Sequence, residues 1–89
     1  SVKSVDNSNI VTISINDEMK FEELVRLKDM LAHFKGGDPL VMKVKEDDGS
    51  DSRILCGSHF WVDASNELVN AVNNNFASKV GISIKSLDE

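Results

Sequence analysis

The run LVRLKDMLAHFKGGDPLVMKV, residues 24–44, confines the chain to a small set of folds. Leu24, Leu27, Leu31 and Phe34 recur at helical spacing with Met30 beside them, so one stripe of a helix faces a core while Arg26, Lys28 and Asp29 lie away from it. Gly36 and Gly37 follow the last apolar position, where a left-handed residue closes a helix, and Pro39 cannot continue one. Leu40, Met42 and Val44 then alternate with Val41, Lys43 and Lys45, the two-residue period of a half-buried strand. A helix that turns so quickly into a strand needs a layer for both to pack on, and the rest of the chain must supply it.

In IVTISIN, Val11, Ile13 and Ile15 point one way and Ile10, Thr12 and Ser14 the other, a first strand rich in β-branched residues. Asn16 or Asp17 is expected to cap the first helix, with Asp17, Glu18, Glu22 and Glu23 at its positive end and Lys28 and Lys35 nearer its negative end. Asp48 and Gly49 are the natural central pair of a hairpin tip in EDDGS, after which SRILC forms a third strand with Ile54 and Cys56 on one face and Leu55 on the other. Phe60, Trp61 and Val62 read as a further extended piece on a sheet edge. Asp63 or Ser65 caps a second helix whose buried stripe is Leu68, Val69, Val72 and Phe76. Asn66, Asn70, Asn73 and Asn74 are mediocre helix formers, so this helix is expected to fray after Asn74. Val80, Ile82 and Ile84 alternate in a last strand.

The order is βαββαβ, and two right-handed crossovers are expected to bring the first and third strands side by side. The fold class is therefore α+β, a ferredoxin-like sandwich with an antiparallel sheet and two helices on one face. Residues 10–85 make a single domain, residues 1–9 a linker or disordered arm, and residues 86–89 a polar tail.

Size and charge narrow the partners. A chain of 89 residues makes one domain that buries only about 60 to 65% of its unfolded surface, with modest stability to match. The single cysteine, Cys56, excludes an internal disulfide, and the absence of an apolar secretory segment suits a reducing, cytoplasmic setting. No apolar run approaches membrane-spanning length, so no membrane partner is expected. A net charge of −5 disfavours wrapping a phosphate backbone, so nucleic-acid binding should be weak or absent and the ligand a protein. The isolated domain is expected to be a monomer, and the opening Ser1 points to processing or, the preferred reading, to a fragment of a longer chain.

Candidates for chemistry are few, and no cofactor is expected. Cys56 and His59 stand at Cys-x-x-His spacing, but a zinc site of that kind needs a second ligand pair and His33 is the one other histidine. Cys56 with His59 as base lacks an orienting third group. The acidic loop Glu46, Asp47, Asp48 and Asp51 lacks the alternating ligands of a calcium loop, and Gly36 and Gly37 come after a helix instead of before one, so they do not cradle a phosphate. The third strand displays no aromatic platform for stacking bases. Among the three residues His59, Phe60 and Trp61, an extended FWV run leaves one large aromatic near the surface. Trp61 is the preferred anchor for a protein partner because its indole can donate a hydrogen bond from a partly wet site.

The succession LKDMLAHFKGGDPLVMKV, a hairpin, FWVDASNELVNAV and VGISI resembles the extreme C-terminal domain of the bacterial replicative DNA polymerase III alpha subunit. Leu27, Lys28, Leu31, Gly36 or Gly37, Pro39, Val62, Ser65 and Leu68 are the matching positions, across residues 20–85; Gly-Gly-Asp before Pro39 and the asparagine-rich second helix depart from the pattern. The resemblance implies a non-catalytic module that helps attach the polymerase to the tau subunit of the clamp loader, with the polymerase aspartates in an upstream domain. Two readings from other classes stand beside it. One is a ligand-sensing regulatory domain of ferredoxin-like fold that pairs through its sheet and binds a small metabolite; the other is a small enzyme using Cys56.

Overall fold

Val11 and Ile13 are fully buried, and the fold is the arrangement that keeps them so. The computed structural model describes residues 9–86, so the expected arm and tail lie outside the described residues except for Asn9 and Ser86, each of which ends a strand. In chain order the elements are β1 (Asn9–Ile15), α1 (Phe21–Ala32), β2 (Lys35–Asp38), β3 (Leu40–Lys45), β4 (Asp51–Leu55), α2 (Asn66–Phe76) and β5 (Val80–Ser86). Short 3₁₀ turns fall at Ser58–Phe60 and Ala77–Lys79.

Four strands form one mixed sheet in the order β4-β3-β1-β5. Val11 and Ile13 of β1, Leu40 of β3 and Val80 of β5 enter a single core with Leu27 and Leu31 of α1, Val62, and Leu68, Val72 and Phe76 of α2. Both helices therefore cover the same face of the sheet, an α+β architecture compatible with the ferredoxin-like class expected. The pairing inside the sheet differs from expectation, because the sheet is mixed instead of antiparallel and β4 does not lie beside β1. Instead β3 runs parallel to β1, Val11 opposite Leu40 and Ile13 opposite Met42, while β5 and β4 join as antiparallel outer strands. Val11 N donates to Pro39 O at 2.9 Å, which zips the start of β3 directly onto β1. The tight tip between β3 and β4 then leaves β4 only the outer edge.

That tip is a turn in which Gly49 N donates to Glu46 O at 3.0 Å and Glu46 N to Ser50 O at 2.7 Å. Of the expected central pair only Gly49 takes positive φ, +89°. The Asp48 carboxylate instead accepts from Ser50 Oγ and Ser50 N, which holds its carboxyl below the usual range.

The ends of α1 also depart from expectation. Asn16 is committed elsewhere, its N donating to Lys79 O at 2.9 Å and its Nδ2 to Ser78 O at 3.3 Å, and Asp17 accepts from Glu18 N instead of capping the helix. The helix starts after Lys20, where Glu23 Oε1 accepts from Lys20 N at 3.0 Å, the reciprocal half of a capping box. At the other end no left-handed glycine closes it. His33 N donates to Met30 O and Phe34 N to Leu31 O, and Gly36 and Gly37 enter β2. Their role is close approach: a Cβ on Gly36 would sit 2.7 Å from Asp63 N. Ser65 caps α2, its Oγ accepting from Leu68 N at 3.2 Å. The helix does not fray after Asn74 but runs on to Phe76, whose buried ring has the Arg26 guanidinium 5.2 Å from its centre.

Candidate functional site

Phe60, Trp61 and Val62 do not form the extended piece expected, because Ser58–Phe60 is a 3₁₀ turn and simple alternation fails there. Phe60 N donates to Gly57 O and Trp61 N to Ser58 O. Val62 alone is extended against a strand, bridging Lys35 and Asp38 of β2, and it is fully buried. The junction is clipped from both sides: Gly36 N donates to Trp61 O at 3.1 Å and Asp63 N to Phe34 O at 2.6 Å. Asp38 fastens it further, Oδ2 accepting from Ala64 N at 2.8 Å and Oδ1 from Asn9 N at 3.2 Å.

The clip fixes where the aromatic side chains go. Trp61 is half-buried against the core, and its indole Nε1 donates inward to Cys56 O at 3.2 Å. Phe60 is the exposed ring, 46% accessible, with the His59 imidazole tilted beside it at 4.3 Å between centres. The structure thus brings His59, Phe60 and Trp61 together, with Phe60 outermost. All three, with Cys56, line one wall of an apolar groove of about 290 Å³ whose other wall is α1 and whose floor includes Leu40 and Met42.

Chemistry inside the groove is limited. Burial pushes the Cys56 thiol up from its ordinary value, so at neutral pH it is a protonated thiol, the opposite of the shift that activates a nucleophile. The His59 ring rests on Phe60, and Cys56 contributes its carbonyl to the Trp61 indole. No group of three or more His, Cys, Asp or Glu side chains is placed to hold a metal ion among the described residues.

Three residues of the site escape a reading of the sequence alone. Leu24, expected in the core, is 43% exposed and lines the groove; Lys28, expected to face away, lines it too. Ile54, on the helix-bearing face of β4, is 55% exposed and lines a shallower trough of about 650 Å³ that shares Leu24 and Met42 with the groove. A signal was present in α1. Phe21 and Val25 add to Leu24, Leu27, Met30 and Leu31, more apolar positions than one stripe can bury, and Phe21 is 77% exposed.

Scanned against protein-family models the chain matches none, and no curated protein matches it. Among the described residues no helix is long and apolar enough to cross a membrane.

Proposed function

We propose that this chain is a non-catalytic protein-interaction domain, the C-terminal module of a bacterial replicative DNA polymerase III alpha subunit, which attaches the polymerase to the tau subunit of the clamp loader in the cytoplasm. One observation carries the reading. The segment FWVDASNEL, which bears much of the resemblance, also supplies Phe60 and Trp61 to one wall of the exposed apolar groove. Its matching positions are structural: Val62 and Leu68 are fully buried and Ser65 caps α2, while Phe60 beside them is left open to a partner. Exposed aromatic side chains at the rim of an apolar hollow are the usual anchors of protein interfaces.

A small-molecule sensor fits the groove less well. Such sites need several convergent polar groups to orient a ligand, and the side chains that supply polarity here, Lys28, Lys35 and His59, leave a predominantly apolar lining. The test is direct binding of purified tau to the full chain, by surface plasmon resonance, for the parent and Phe60→Ala. Parent binding that drops by about tenfold in the variant supports the reading. No binding of tau by the parent chain overturns it.

A further inference from the structure

One register row across the sheet measures how far the helices reach. It runs Ile82, Ile13, Met42, Ile54 from β5 to β4, all on the helix-bearing face. Ile13 is sealed, Met42 partly covered, and Ile54 open, so cover fails between β3 and β4. Beside this bare floor stands α1, which turns Leu24, Lys28 and Leu31 toward the gap, with Lys35 at the start of β2 beyond its C-terminal end. The spacing of four and three residues between Leu24, Lys28 and Leu31 is a helical ridge of the sort a neighbouring helix packs against. The layer thus has two helices and an unfilled place along α1, floored by the β3–β4 hairpin.

Charge says what fills it. Neither Lys28 nor Lys35 has a carboxylate partner among the described residues. The protein is acidic overall, at −5, yet Lys28 and Lys35 give the rim of the groove a positive character, while Asp17, Glu18 and Asp47 with Lys45 line the adjoining trough at Ile54. A second copy is disfavoured, since two chains of charge −5 repel. Joining copies through the free edge of β4, centred on Arg53, would also set Arg53 against Arg53.

We infer that the groove between α1 and the β3–β4 hairpin is a docking site for an amphipathic helix of a protein partner, whose apolar stripe is flanked by carboxylates that meet Lys28 and Lys35. The inference rests on the reading of the chain as a protein-interaction module and names the chemistry of the partner segment. Apolar side chains of that helix fill the space over Met42 and Ile54 against Leu24 and Phe60, the helix-in-groove mode of recognition.

Trp61 is the sole tryptophan and lines the groove, so its fluorescence reports occupancy. The probes are two designed helical peptides with the same leucine stripe, one flanked by glutamates and the other by lysines. The glutamate peptide should bind saturably and at least about tenfold more tightly than the lysine peptide, and Lys28→Glu should reverse that order. Ile54→Asp, at a position already open to water, should abolish binding with the far-UV circular dichroism unchanged, whereas Ile84→Asp at the opposite edge of the sheet should leave it intact.

Equal binding of the two peptides, indifference to Ile54→Asp, or concentration-dependent self-association in sedimentation velocity that buries Trp61 would each overturn the assignment. The two proposals separate cleanly. If tau binds Lys28→Glu and Ile54→Asp as well as the parent, the groove is wrong and the attachment reading survives. If the glutamate peptide binds while tau does not, attachment fails and the groove stands.

Discussion

Of the glycines in this protein, Gly36 has the least room for an added methyl group, so Gly36→Ala should be destabilising. Its Cβ would lie 2.7 Å from Asp63 N and 2.8 Å from Asp63 Cα and Cβ. Carbon contacts settle at about 3.5 to 4.0 Å, so β2 and the Trp61–Asp63 segment must part by roughly 1 Å. The bonds stretched are the two that form the clip, Gly36 N to Trp61 O and Asp63 N to Phe34 O. At about 1 kcal/mol each, with further loss where fully buried Val62 is unseated, the cost is about 3 kcal/mol. Restricting the unfolded chain returns about 0.4 to 1 kcal/mol, leaving a net loss near 2 kcal/mol. For a domain of this size that is a fall in Tm of about 8 to 16 °C. Circular dichroism and Trp61 fluorescence should report the same transition, because the indole hangs on the clip. Gly37→Ala is the matched control, since nothing lies within 4 Å of a Cβ there, and it should melt at or slightly above the parent. If Gly36→Ala melts with the parent, or both alanines cost the same, the close-approach argument is wrong.

Ala77 closes α2 at φ 50° and ψ −132°, a conformation that strains any residue with a Cβ. Glycine there should raise stability by about 0.5 to 1 kcal/mol once its own entropy cost is subtracted, read as a higher urea midpoint at unchanged m-value. Glu23 is held below its ordinary value of 4.5 first by the Lys20 N–H and then by Lys79, whose Nζ is 2.9 Å from Oε2. A carboxyl depressed by folding contributes stability that is present above its unfolded value and is lost as pH falls through the folded one. Glu23→Gln should therefore lower the urea midpoint at pH 7, and the gap from the parent should narrow as the pH falls below 4.5; a gap that stays unchanged on acidification contradicts the assignment.

Much of the fold is written locally. The inward face of β1 at Val11 and Ile13, the inward starts of β3 and β5 at Leu40 and Val80, the Ser65 cap and the positive φ of Gly49 each follow from a pattern a few residues long and are found. So is the α2 stripe at Leu68, Val72 and Phe76, though Val69 is only half-buried and Ile84 of β5 is exposed. The failures share a cause, which is that a distant segment claims the group in question. Asn16 does not cap α1 because the Ala77–Lys79 turn takes its N–H and its amide. Gly36 does not close α1 because Asp63, far along the chain, needs its missing Cβ. Trp61 does not alternate outward because Ser58–Phe60 coils and the Cys56 carbonyl captures the indole.

The candidate site shows the same dependence on a larger scale, through the order of the strands. SRILC turns Ile54 and Cys56 to one face and Leu55 to the other wherever β4 is placed, so its own pattern is silent on whether Ile54 is covered. Had β4 lain beside β1, Ile54 would have shared the centre of the sheet with Ile13, under both helices. With β3 zipped to β1 through Pro39, β4 is displaced to the edge and Ile54 has only Met42 as a neighbour in its row. That displacement strips the cover from the hairpin and turns one side of α1 from a core face into a groove wall, carrying Leu24 and Lys28 with it. The surface offered to a partner is thus a product of which strand pairs with which. A substitution that weakened the β1–β3 register should consequently disturb the groove from the far side of the sheet, without touching any residue that lines it.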